Sequence, residues 1–197
     1  SNLCDICYTR QKEQLGLGHA VLTASNLVGS EPFALLLPDD IIQAKVPVLK
    51  QMISIYEEFG KTVIAVEKVA RQEVHKYGIV KAKKERESLY KVLGLVEKPS
   101  PEKAPSNLGI VGRYILTPQV LDELSRTKPD NAGEIQLTNG LNSLLGKEEI
   151  YAYLFEGKRY DAGTPMGLLK ATVEIALQHP VYKKEFSTYL KKLSNNL

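Results

Sequence analysis

The chain has 197 residues, with 26 lysines and arginines against 23 aspartates and glutamates, a net charge of +3. Its 43% hydrophobic and 25% charged residues supply enough apolar surface for a packed core, which excludes a disordered or fibrous chain and fits one domain or a large part of a bigger one. No apolar run approaches the roughly 18 residues of a membrane span, and no signal-peptide order opens the chain, so a cytoplasmic protein without membrane contact is expected.

The basic residues do not point to nucleic acid. The KAKKER run of 81–86 and the lysines at 183, 184, 191 and 192 are interleaved with Glu85, Glu87 and Glu185. Solvated strand ends and helix faces have that mixture, so no nucleic-acid partner is expected. Cys4 and Cys7 stand as Cys-x-x-Cys with no second pair and no clustered histidine to complete a zinc site.

In chain order, Ile6 to Arg10 alternates like a strand, and Phe33 to Leu37 is a continuous apolar run ended by Pro38; both read as buried strands. Between them come the Gly16-Leu17-Gly18 turn and a helical pattern over His19 to Val28, an order that implies a parallel sheet. Val46 to Phe59 puts Val48, Leu49, Met52, Ile53 and Tyr56 on one helical stripe closed by Gly60, and Thr62 to Val66 is the next strand. Tyr77 to Val80 and Tyr90 to Val96 then read as antiparallel strands of a β insert flanking the polar KAKKERES stretch. After a strand over Asn107 to Leu116, a short helix headed by Pro118 turns Val120, Leu121 and Leu124 inward. A polar loop precedes an amphipathic helix over Glu134 to Leu145 and a strand over Ile150 to Phe155. Pro165 to Gln178 and Val181 to Leu193 are two helices broken at Pro180, giving an α/β domain over 1–180 and a C-terminal helix over 181–197.

Four segments can carry chemistry. The QKEQLGLGHA loop of 11–20 has glycines that let a planar ligand approach the backbone; a plain connecting turn is the alternative. Asp39 and Asp40 follow the most apolar strand, where ligands of open α/β sheets bind, and a carboxylate there can hold Mg²⁺ or merely cap the next turn. Glu97 and Lys98 end a strand at Pro99: the acid suits sugar hydroxyls and the ammonium suits a phosphate, although neighbours in a strand normally diverge. In Tyr160-Asp161-Ala162-Gly163-Thr164-Pro165 the threonine can cap the following helix, which leaves Asp161 available as a second metal carboxylate. There is no G-x-S-x-G elbow, Walker loop or H-E-x-x-H.

Together these segments resemble the bacterial UTP-glucose-1-phosphate uridylyltransferases of the sugar nucleotidyltransferase superfamily. The blocks that carry the resemblance are RQKEQLGLGHAVL at 10–22, LLLPDDII at 35–42, YGIV at 77–80, GLVEKP at 94–99, APSNLGIVGRYIL at 104–116, GEIQLTN at 133–139 and KRYDAGTPMGLLKATVE at 158–174. The resemblance implies a Rossmann-like nucleotide-diphospho-sugar transferase fold, a mixed, mostly parallel sheet with a β insert. It implies transfer of UMP from UTP to glucose-1-phosphate, giving UDP-glucose and pyrophosphate with Mg²⁺. By position, Gln11 and Gly16 would meet the uracil, Asp39 and Asp161 would hold the metal, and Gly78, Glu97, Lys98 and Gly112 would border the sugar, with Lys98 pairing with its phosphate. Lys98 and Asp39 would be the catalytic residues.

The family pattern also has a glycine-rich G-x-G-T-R loop and a lysine that cradle the triphosphate, and the 197 residues contain neither. The expectation is a chain lacking the first mononucleotide-binding half, weak or inactive alone and inclined to self-associate as a homo-oligomer. Leu15 and Asn139 stand where the family often has lysine and aspartate. A thymidylyl or cytidylyl relative, or a non-catalytic paralogue serving as an oligomer partner, are the alternatives.

Overall fold

The segment TVIAVEK forms strand β3 (Thr62–Lys68), buried at its first five positions, and the rest of the larger sheet is built around it. A strand buried on both faces reads as an unbroken β-branched run, which is what these residues supply. The computed structural model describes residues 4–195. Their contacts form two compact units, one of residues up to Leu36 with Val46–Phe155 and one of Leu37–Lys45 with Glu156 onward. The expected boundary at residue 180 has no counterpart in this grouping.

The first unit holds a six-stranded sheet in the order β1 (Phe33–Leu36), β6 (Leu108–Leu116), β3, β7 (Ile150–Leu154), β5 (Leu89–Glu97), β4 (Gly78–Arg86), with β4 also meeting β6 at Ile79–Gly109. Helices α1 (Gly16–Thr23), α4 (Gln119–Arg126) and α5 (Leu137–Leu144) bury Val21, Val120, Leu124, Leu137, Leu141 and Leu144 in one core with Ile64 and Val66 of β3. Helix α3 (Val48–Phe59) contacts β3 and β6 and buries Val48, Met52 and Ile55; a short α2 (Ser25–Val28) follows α1. The mixed α/β architecture is as expected, but β3–β7 is the one parallel pairing among the described residues. The long β4–β5 hairpin and the return of β6 between β1 and β3 make the others antiparallel, correcting the mostly parallel sheet.

Several local expectations also change. Ile6 to Arg10 forms no strand: Ile6 is 65% and Tyr8 89% exposed, and alternation without a ladder partner does not fix a strand. β1 is an edge strand whose side chains alternate half-buried and exposed, so FALLL is not a buried run. The buried stripe of α3 is rotated, leaving Ile53 40% exposed, because Ile55 rather than Ile53 faces the sheet. β4 continues through KAKKER, whose lysines are exposed. The helix expected from Glu134 starts only at Leu137, since Asp130 draws the preceding residues into a turn.

The second unit contains β2 (Asp40–Gln43) paired antiparallel with β8 (Lys158–Asp161), two strands too short for periodicity to reveal. Helix α6 (Pro165–Gln178) matches its expected span, and α7 (Lys183–Ser194) packs on it.

Candidate functional site

In the second unit the β2–β8 ladder puts Asp40 opposite Asp161. Asp40 is 4% exposed and forms an ion pair with Arg159, so it is committed to the structure, whereas Asp39 beside it is exposed. The backbone nitrogen of Ala162 donates to the Asp39 carbonyl at 2.8 Å, and Gly163 N donates to Asp161 Oδ1 at 3.1 Å. A Cβ on Gly163 would stand 2.8 Å from Asp39 Oδ2 and 3.1 Å from Asp161 Oδ1. Both carboxylates therefore border the one small space that glycine leaves open.

The chain is fixed on both sides of this point. Thr164 Oγ1 accepts from Gly167 N at 3.1 Å and caps α6 as expected, with Pro165 in the first turn. The Tyr160 hydroxyl donates within reach of Gln43 Oε1 at 3.1 Å and Glu174 Oε2 at 3.0 Å; burial, then the Glu174 bond, raises its pKa and keeps it a donor. Two carboxylates beside an open space suit a hard cation such as Mg²⁺, which takes one or two carboxylates and keeps waters. No group of three potential ligands occurs among the described residues.

In the first unit, Gly78 of β4 is paired in register with Glu97 of β5. A Cβ on Gly78 would meet Thr138 Cγ2 at 3.0 Å, Ile110 Cδ1 at 3.1 Å and Glu97 Oε2 at 3.3 Å. Thr138, 7% exposed, donates from Oγ1 to Glu97 Oε2 at 2.7 Å. Lys98 has φ +44°, the one positive-φ residue other than glycine among the described residues, and its nitrogen donates to Tyr77 O at 3.0 Å. Such a conformation costs about 1–3 kcal/mol and breaks the alternation that would send neighbouring side chains apart.

On the 130–138 segment Glu97 meets Thr138, and Asp130 lies where the Lys98 charge favours its ionised form. The Asp130 carboxyl is held below its usual range by the Glu134 backbone N–H first, then by Gln136, with Lys98 adding to both. The same segment meets the glycine loop: Ile135 N donates to Leu15 O and Gly18 N to Ile135 O, both at 2.8 Å. Gly16 has φ +87°, and a Cβ there would stand 2.9 Å from Glu134 Cβ. The Gln11 amide Nε2 donates to the Gly16 carbonyl at 3.1 Å.

The structure thus brings together Gln11 with Gly16, Gly78 with Glu97, and Asp39 with Asp161. Gly112 is buried in β6, where the register against β3 shifts between Ile64 and Val66. Sequence reasoning assigned no role to Thr138, Asp130 or His19. Thr138 and His19 lie inside the quoted GEIQLTN and QKEQLGLGHA blocks, which was the available signal.

A model of the family described as Nucleotidyl transferase matches residues 2–178. The chain belongs to the nucleotidyl transferase family. It is 46% identical over 194 residues to UTP–glucose-1-phosphate uridylyltransferase 1 of Staphylococcus saprophyticus, a match covering 98% of this chain and 68% of that protein. Among solved structures, a UDP-glucose pyrophosphorylase complexed with UDP-glucose superposes with a TM-score of 0.82 at 43% identity, covering 96% of this chain and 67% of that one. UTP-bound UGPase from Acinetobacter baumannii has a TM-score of 0.83 at 37% identity, covering 92% of this nucleotidyl transferase and 63% of its own chain. This nucleotidyl transferase spans about two thirds of the length of the relatives it matches. No helix among the described residues is long and apolar enough to cross a membrane.

Proposed function

We propose that this nucleotidyl transferase acts in the transfer of UMP from UTP to glucose-1-phosphate. A phosphate oxygen of glucose-1-phosphate forms a bond to the α-phosphorus of UTP, the bond from that phosphorus to the bridging oxygen breaks, and pyrophosphate leaves, giving UDP-glucose. The reading is carried by the carboxylates of Asp39 and Asp161, both beside Gly163, in a chain whose uridylyltransferase relatives match 98% of it. Those relatives disfavour a thymidylyl or cytidylyl enzyme, and intact carboxylates disfavour a non-catalytic paralogue.

In this reading Asp39 and Asp161 hold Mg²⁺; when bound, such an ion offsets the charge of phosphate oxygens. Glu97, oriented by Thr138, accepts hydrogen bonds from sugar hydroxyls, and Gly78 leaves room for the ring beside it. Lys98 presents an ammonium to the sugar phosphate as a point charge. Gln11 and Gly16 meet the uracil, and Gly112 borders the sugar. The protein's contribution is positioning and neutralisation, since the transfer needs no covalent bond to the enzyme. A cytoplasmic enzyme, assembled as a homo-oligomer, completes the proposal.

Titration calorimetry of the 197-residue chain with UDP-glucose tests it without requiring turnover. Binding strengthened by Mg²⁺ and weakened by Glu97→Ala is expected. No binding of UDP-glucose, or binding indifferent to Glu97, overturns the reading.

A further inference from the structure

The Gln11 amide has two hydrogens on Nε2, and the structure accounts for both. One bond goes to the Gly16 carbonyl at 3.1 Å, and Nε2 lies 2.9 Å from His19 Nδ1. A carbonyl oxygen only accepts, so the nitrogen end of the amide faces Gly16. The second hydrogen is then directed at Nδ1, which must carry a lone pair while the ring hydrogen sits on Nε2. The end of the amide left for a ligand is Oε1, which is an acceptor only. Turned over, Oε1 would oppose the Gly16 carbonyl, placing two acceptors together.

Both anchors are themselves held. His19 lies in α1, its carbonyl accepts from Thr23 Oγ1 at 2.9 Å, and Gly18 beside it is bonded to Ile135 O at 2.8 Å. His19 also lines an open groove of about 370 Å³ with Arg10, Lys12, Glu13, Leu15 and Thr23, so its pair with Gln11 borders solvent.

We infer that His19 is a positioning residue for base selectivity: by fixing Gln11 with its oxygen outward, it favours a pyrimidine carrying N–H at ring position 3 over one carrying a lone pair there. Uracil has that hydrogen and cytosine does not. The inference rests on the proposal that Gln11 meets the base. Without His19 the amide keeps only its bond to Gly16 and can swing about it, so Oε1 is no longer held at one place before the base. Losing the bond that fixes a half-buried acceptor before its partner changes affinity by roughly tenfold.

The test is the ratio of affinities for UDP-glucose and CDP-glucose, measured by calorimetry on the 197-residue chain. The wild-type chain is expected to favour UDP-glucose, and His19→Phe to lower the ratio about tenfold. His19→Asn, which keeps an acceptor near the Nδ1 position, restores most of it. In a Gln11→Ala background His19→Phe has no further effect on the ratio, a non-additivity that general loosening of the loop would not produce. Thermal melting checks folding, and His19→Ala serves if His19→Phe does not fold. An unchanged ratio in a folded variant, or an equal effect in the Gln11→Ala background, overturns the inference alone. Failure of the wild-type chain to bind UDP-glucose overturns it together with the proposed function.

Discussion

Thr138 holds Glu97: its buried hydroxyl donates to Glu97 Oε2 at 2.7 Å, while its methyl group lies against the space beside Gly78. A carboxylate that must accept from sugar hydroxyls is useful only in one orientation, and this bond, arriving from α5, selects it. Thr138→Val keeps the shape and removes the donor. It is expected to weaken UDP-glucose binding about tenfold, a loss of about 1.4 kcal/mol, whereas Thr138→Ser retains most of the affinity. Calorimetry on both variants decides it, and equal affinities would show that the hydroxyl is dispensable.

Lys98 sits in a left-handed conformation that glycine adopts at no steric cost. Lys98→Gly is therefore expected to keep or raise thermal stability, by about 1 kcal/mol, while lowering affinity for glucose-1-phosphate. Lys98→Ala loses the charge without relieving the strain. A melting curve beside a glucose-1-phosphate titration separates the two effects, and a Lys98→Gly chain less stable than Lys98→Ala would contradict the strain.

At Gly163 any side chain enters the space that Asp39 Oδ2 and Asp161 Oδ1 both border. Gly163→Ala should fold, because its neighbours there are carboxylate oxygens that can rotate, yet it should lose the Mg²⁺-dependent part of UDP-glucose binding. Asp39→Asn and Asp161→Asn should lose the same part. Titrations with Mg²⁺ and with excess EDTA measure it. Mg²⁺ dependence persisting in all three variants would remove the carboxylates from the metal site.

Gly167 is a stability position. A Cβ on it would lie 1.8 Å from the Asp161 carbonyl oxygen, an overlap with backbone that no rotamer change can relieve. Gly167→Ala is expected to cost about 3 kcal/mol or more and to disturb Asp161 with it. Denaturant unfolding measures the loss; a neutral result would mean that the first turn of α6 shifts freely.

The sequence alone was sufficient for elements whose signal is local. Thr164 and Pro165 start α6, Gly60 stops α3, and the β-branched run of β3 declares a doubly buried strand, because capping and periodicity need no distant partner. Residue types and order also drew attention to Asp39 with Asp40, to Asp161 and to Glu97 with Lys98, each with a plain structural use as the alternative, and the family resemblance chose Asp39 of the first pair. Tertiary structure decided what depends on partners. Ile6 to Arg10 alternates but finds no ladder, and β2 and β8 are strands only because each pairs with the other across more than a hundred residues. The Asp40–Arg159 ion pair, which leaves Asp39 as the exposed carboxylate, arises from that same pairing, and the Thr138–Glu97 bond needs α5 packed on β5. A hydrogen bond between residues far apart in the chain leaves no period in either segment, so only the folded molecule could disclose these choices.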